Sequence, residues 1–400
     1  MAEATGSPDA ELHERSRGEL RMADRTVAFH FENDPLGFLD RRSASMAPAF
    51  EVGPNEYFLR DAVDACAVLR NDDGRYREHS DFFHTRHGLF GPEAARLKIR
   101  RESRELVRAH LLEHAARIGE FIDSNLPATS EWPDCGNRLV YRFFLPVLLS
   151  AHAPPKLRSL LDMIVERAVL ANARMRQARW RRMLLQFRTT LRLSREIEAR
   201  QSKPRGRPHD LLDVVAGSID SRQRLDELSE VYLSFVFAIA GSVGFLLGWS
   251  LYLLGSHAER SVPSEWIVQE ALRLWPVAWQ LGRQPSQEHQ LAGVTVLPGD
   301  EVVVCPYLVH RNESYWAKPH AYEPERWSEP DSWRNPAFIP FGHGRHRCVA
   351  ADLTPRFVAD ILDAIRRSNT VSIDAVSGKP IVAAALAPPR FRLQLHERST

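Results

Sequence analysis

The segment Phe341-Gly342-His343-Gly344-Arg345-His346-Arg347-Cys348 combines residue types that rarely meet by chance. Its two glycines let the backbone turn tightly and come close to a flat group. A cysteine just ahead of a helix, beside Arg345 and Arg347, is stabilised as a thiolate. A thiolate held by backbone N–H groups suits a soft metal or a heme iron. The same residues also suit a structural cysteine in a surface loop, and on their own they leave both readings open. Upstream, Glu270-Ala-Leu-Arg273 has the spacing that puts a carboxylate and a guanidinium on one helix face. Such pairs are common and carry no chemistry alone.

Those residues need a large scaffold, and the composition supplies one. The chain has 400 residues, 53 Lys+Arg against 51 Asp+Glu, a formal charge of +2 and four cysteines. At 44% hydrophobic and 26% charged it reads as globular, not disordered. The near-neutral balance argues against a general nucleic-acid binder. Cys66, Cys135, Cys305 and Cys348 are too far apart for a disulfide framework, and without a CxxC pair a structural zinc site is not expected. Residues 1–24 read as a flexible leader with no apolar signal region, and 25–400 as one domain, intracellular and cytoplasmic. Val231–Leu254 is the one long uncharged run. It reads as a buried helix through a soluble domain, not a membrane span.

The flanking patterns place the rest. Residues 48–60 read as two strands around Gly53-Pro54-Asn55, and DAVDACAVLRN as a short helix. From Pro92 helical periodicity dominates, with Leu97, Leu106, Val107, Leu111, Ile118 and Ile122 expected inside. Residues 157–200 are helical and rich in arginine: a solvated helix pair, or a docking surface for an acidic partner. Ser264 is expected to cap a helix that Pro276 stops, and QLAGVTVLPGDEVVVCP to fold as a hairpin turning at Pro298-Gly299-Asp300. A helix over about 350–367 and strands ending in FRLQLH complete a mainly α, α+β architecture.

The loop at Phe341, Gly344, His346 and Cys348 resembles the heme-binding loop of the cytochromes P-450, with Ala350 where that pattern has glycine. Glu270 and Arg273 resemble the family's Glu-x-x-Arg motif, and Pro324-Glu325-Arg326-Trp327 its downstream segment. The order and spacing match, and the resemblance runs from about residue 27 to 397. It implies a helix-rich triangular prism with small sheets near both chain ends. It also implies heme b (iron protoporphyrin IX), Cys348 as axial iron ligand, and a buried triad of Glu270, Arg273 and Arg326. Phe341 and Gly342 would flank the heme, and His346, Arg283, Arg104 and Arg100 would serve its propionates. The implied partners are a bulky apolar substrate, with ferredoxin and ferredoxin reductase as electron donors.

Two departures qualify this. Where the family's central helix carries an acid and an alcohol, the matching stretch Ala240-Gly241-Ser242-Val243-Gly244 has Val243 and Gly244, and no acid lies between Val231 and Gly255. Protons would then come from ordered water or from the substrate, favouring coupling, ring closure or desaturation. The glycines at 241, 244 and 248 read as room above the heme, with close helix packing as the other reading. Pro355 is expected to kink the helix after Cys348 and so to bear on donor docking. Redox-neutral rearrangement or dehydration at heme is a second hypothesis. A non-catalytic protein binding a carrier-tethered substrate is a third. Trp275, Trp279, Phe82 and Phe83 suggest a large apolar ligand.

Overall fold

In the computed structural model, which describes residues 31–44, 47–78, 93–171, 178–202, 206–218, 224–329, 331–375 and 378–398, the first two described helices begin at an aspartate cap. Asp34 accepts from the Gly37 N–H to open α1 (Pro35–Ser43), and Pro35 occupies a first-turn position that needs no N–H partner. Asp61 accepts from Val63 and Asp64 to open α2 (Ala62–Arg70), which ends on Asn71 at φ 52°. The long α3 (Glu93–His114) and α4 (Ile118–Asn125) lead to α5 (Asp134–Leu148) and α6 (Pro155–Ile164). Then come α7 (Arg179–Gln201), α8 (Leu211–Ala216), α9 (Leu225–Val236), α10 (Gly244–Ser256), α11 (Ser264–Leu274) and α12 (Leu353–Ser368). The leader and the aromatics Phe82 and Phe83 lie outside the described residues.

The expected central helix spans Leu225–Ser256 and is long and apolar enough to cross a membrane, yet most of it is buried inside the protein. It is not uniform. Between α9 and α10 it widens into a π turn, Phe237–Val243, and a second π turn, Val165–Val169, extends α6. The two turns face each other: a Cβ on Gly241 would lie 3.5 Å from Cγ1 of Val169.

Small sheets flank the helices, as expected. The largest has the order β1-β2-β8-β5-β3, built from Ala49–Gly53, Glu56–Leu59, Glu301–Val304, Leu281–Pro285 and Tyr76–Glu78. Its β2–β8 pair is parallel and its other pairs antiparallel. A three-stranded sheet sets β12 (Phe391–Glu397) between β4 (Thr129–Trp132) and β9 (Asn369–Ala375). The main core joins α5, α9, α10, α11 and α12 around Tyr232, Trp249 and Phe391, and a smaller one lies under the five-stranded sheet.

Several expectations give way here. Leu97 is exposed, because the buried face of α3 runs through Ala95, Ile99, Ser103 and Leu106 and leaves position 97 on the other side of the helix. Ser264 is the first helical residue and not the cap; its hydroxyl accepts from Arg366 instead. The hairpin of that region turns earlier, at Ala292-Gly293, both at positive φ, joining β6 (His289–Leu291) to β7 (Val294–Val296). Pro298-Gly299-Asp300 instead hands the chain to β8 in the larger sheet. Pro355 lies in the first turn of α12, where the missing N–H has no intrahelical role, so the helix runs unbroken to Ser368.

Candidate functional site

The buried triad forms as the spacing implies. Arg273 donates to both oxygens of Glu270, from Nε at 2.9 Å and Nη2 at 2.7 Å, and both side chains are fully buried. Arg326 adds Nε at 3.3 Å, Trp327 donates its indole N–H at 2.9 Å, and the Glu323 N–H donates at 3.0 Å. The Glu270 carboxylate thus has five donors. The rest of Arg273 goes to the carbonyls of His310, Pro319 and Ala321. A buried ion pair holds only when its remaining groups are satisfied, and here they are.

His310 carries this order toward the cysteine, and sequence reasoning missed it. Its Nδ1 pairs with the Arg273 carbonyl at 3.0 Å, and its Nε2 accepts the Ile339 N–H at 2.9 Å. The ring is therefore neutral with the proton on Nδ1, and burial pushes its pKa down to about 3. Beyond it the Gly342 N–H donates to Ile339, and the Cys348 N–H to Phe341. Gly342 and Gly344 have φ of 71° and 68°, where a side chain is strained. A Cβ on Gly344 would also sit 2.8 Å from Cα of Arg70, so the loop rests directly on the end of α2.

Cys348 lies five residues before α12, not at its first turn. Burial pushes its thiol up, against the lowering pull of the Ala350 N–H, Arg100 and Arg347. The expected thiolate stabilisation is present in these three groups but is outweighed in the bare chain. The residue is nevertheless reached by solvent. Its sulfur is thus open to a ligand. The other cysteines fall to structural roles: burial raises the thiol pKa of Cys66 and Cys135, and that of Cys305 to about 12.

The cations divide. His346 Nδ1 lies 2.7 Å from Glu78 Oε1, and Arg283 Nη2 lies 3.9 Å from the same oxygen. Both side chains thus converge on a carboxylate, as the resemblance implies they would on a propionate. Glu78 was not singled out in the sequence; only the β3–β5 register, which sets it opposite Arg283, reveals it. Arg100 stays at the cysteine, donating to the Arg347 carbonyl at 2.8 Å. Arg104 has protein partners instead. It forms a two-pronged pair with Asp352 and donates to the Val349 carbonyl at 2.6 Å, so its guanidinium is used in clamping the start of α12.

The distal glycines are corrected as well. A Cβ on Gly244 would lie 2.6 Å from Asn137 Nδ2 and 2.7 Å from its Cα, and one on Gly248 would lie 3.0 Å from Pro388. Neither opens space: Gly244 lets α5 approach closely, and Gly248 is packed against Pro388. Gly241 is buried against Val169, and Val243 is half-buried against the core. Within the π turn the exposed position is Ala238, with Phe237, Ile239, Ser242 and Val243 partly exposed. Asn137 is the second residue missed. It is fully buried on α5, and its Nδ2 donates to the Ala240 carbonyl at 2.8 Å and the Gly241 carbonyl at 3.1 Å. Those carbonyls belong to the π turn. Trp275 and Trp279 also prove to be packing residues: Trp275 stacks on Trp249 at 4.5 Å, and Trp279 donates to the Ala383 carbonyl.

Comparison with known proteins decides the architecture. A mutant of P-450 EryK in complex with erythromycin B superposes with a TM-score of 0.70 at 18% identity, over 92% of this chain and 98% of that one. The chain has the cytochrome P-450 fold. Residues 264–353, from α11 to the first residue of α12, match the family model for cytochrome P-450. Human cytochrome P-450 4V2 is 29% identical over 186 residues, which is 40% of this chain and 35% of that protein. Cyclooctatin synthase of Streptomyces melanosporofaciens is 24% identical over 163 residues, 34% of this chain and 35% of that protein. The sequence match to these curated relatives thus spans about a third of their length. The family-model match contains Glu270, Arg273, Arg326 and the Cys348 loop.

Proposed function

We propose that the chain is a heme-thiolate oxidoreductase of the monooxygenase type, oxidising a bulky apolar substrate in bacterial secondary metabolism. The observation that carries this reading is Cys348, accessible yet deep, on a loop tied through His310 to the Glu270–Arg273 pair. Cys348 would be the axial ligand to heme b. His346, Arg283, Arg104 and Arg100 would face its carboxylates, a reading supported by the convergence of His346 and Arg283 on Glu78. Phe341 and Gly342 would flank the ring. Bound heme supplies activation of oxygen with electrons from ferredoxin and its reductase.

The protein's own contribution is placement and proton supply. Ala350 N–H, Arg100 and Arg347 favour negative charge on the sulfur. On the other face the stretch Val231–Gly255 has no acid, and the position after Val243 has no alcohol. Protons therefore come from ordered water or from a polar group of the substrate. This favours coupling, ring closure or desaturation over unrestricted hydroxylation. The enzyme would work in the cytoplasm.

The test begins with the carbon monoxide difference spectrum of the reduced protein. A red-shifted thiolate band that Cys348→His abolishes supports the site; a protein that takes up no heme supports the non-catalytic reading. Turnover with ferredoxin, reductase and candidate substrates then separates the two chemical readings. Product formed without reductant marks redox-neutral rearrangement, and strict dependence on reductant excludes it.

A further inference from the structure

The helix α7 carries an apolar face that no described element covers. Trp180, Met183, Phe187, Leu184 and Leu191 are 62%, 62%, 67%, 47% and 40% exposed. Their spacings of three and four residues place them in one stripe, about 16 Å long and within roughly 100° of the helix circumference. The opposite face is anchored. Thr189, Leu193 and Ile197 are buried, and Arg200 holds Glu196, Asp210 and Asp213 at 3.0, 2.6 and 2.7 Å. The first half of the helix is a ridge standing off the body, with Leu185 alone partly covered between Trp180 and Arg188.

One edge of the stripe is cationic. Arg181, Arg188, Arg192 and Arg195 are all exposed and follow one another at seven, four and three residues, a single row. Arg188 stands one turn after Leu184, and Arg195 one turn after Leu191. None of the four forms an ion pair with a described carboxylate; Arg181 lies over the ring of Trp180 at 5.2 Å. With a net charge of only +2 over the whole chain, this is a local concentration and not a general basic surface.

We infer that this face of α7 docks on an anionic lipid surface, with the apolar stripe in the headgroup–acyl boundary and the arginine row among the headgroups. An apolar stripe, an aromatic at its end and a flanking basic row is the pattern of helices that lie in a membrane interface. The guanidinium stems can cover apolar surface while the heads stay in the polar layer. A second copy of the chain is a poorer occupant, since pairing two stripes brings eight unpaired arginines together. A convex ridge also suits a deformable surface better than a preformed protein groove. The inference is independent of heme, because it uses no residue of the Cys348 site.

The test is co-sedimentation of the full chain with large unilamellar vesicles of phosphatidylcholine, with and without phosphatidylglycerol. Binding is expected to the anionic vesicles and to weaken with salt. The pair Arg188→Gln and Arg192→Gln should lower it by about thirtyfold, each basic residue near such a surface being worth about fivefold. The pair Leu184→Ser and Phe187→Ser should abolish it, while Leu97→Ser with Leu112→Ser, exposed elsewhere, leaves it unchanged. Unaltered thermal unfolding of each variant shows that the fold is kept. Equal partition onto neutral vesicles, or no partition onto anionic ones, overturns the inference. So does a lipid-free dimer that the Leu184→Ser and Phe187→Ser pair converts to monomer, which would assign the stripe to a second copy.

Discussion

The two sides of the proposed heme site are held by opposite means. On the cysteine side the scaffold is polar and saturated. Glu270 accepts five hydrogen bonds, Arg273 reaches three carbonyls, and His310 passes the constraint to the loop. On the opposite side the stretch Val231–Gly255 has no acid and is shaped by contact. Gly244 lets α5 come close enough for Asn137 to reach the carbonyls of the π turn. A ligand atom must be fixed in position, which directional bonds do well. A face that admits substrate needs shape instead, and close packing supplies it.

The contrast can be broken from the polar side first. Glu270→Gln leaves two buried or nearly buried guanidinium groups without their carboxylate and should cost about 3–5 kcal/mol, read as a large fall in the thermal midpoint. Acid should act on the same scaffold. Folded His310 keeps its neutral ring down to about pH 3, whereas the unfolded chain takes up that proton below about pH 6.5. The unfolded state then binds more protons, so stability falls as pH drops through that window, by up to about 1.4 kcal/mol per pH unit for this group. Urea unfolding between those limits should show a shallower pH slope for His310→Gln.

The packed side should respond more mildly. Gly244→Ala forces a methyl against the Asn137 backbone and should cost about 1–3 kcal/mol. Asn137→Leu leaves two buried carbonyls without this donor, a loss of similar size. Its distinctive readout is faster hydrogen exchange across Phe237–Val243, with little change around Ile339 and Cys348. The smallest effect is expected at Arg104→Gln. Its pair with Asp352 is largely exposed and should contribute about 0.2–1 kcal/mol, visible in a slight change of midpoint.

The same divide explains what could be read from the sequence. Glu270 and Arg273 were legible because their pair ties two residue types to a fixed local spacing, and Arg326 because its segment resembles a family motif. His310 and Glu78 were not, since each acts across a pairing between distant segments, His310 to Ile339 and Glu78 to His346 and Arg283. The carboxylate partner of Arg104 was hidden for a related reason: Asp352 lies 248 positions away. The glycines of the central helix look alike in sequence, and only the neighbouring helix tells packing from open space. Among the folding elements, strong periodicity found the long helices, while the strand after Pro298-Gly299-Asp300 joined a sheet in which β1, β2 and β3 come from far earlier in the chain.

The π turn at Phe237–Val243 has a further consequence, for how this chain tolerates insertion and deletion. Such a turn holds one more residue per hydrogen-bonded loop than the helix around it, so it records a local length change that the flanking helices absorb. Removing one residue within it would restore a regular spiral and swing Gly244 and Gly248 about 100° away from α5. Residues on its two sides are therefore out of phase, and when this helix is aligned with those of relatives, a position counted from Val231 need not coincide with the same position counted back from Ser256.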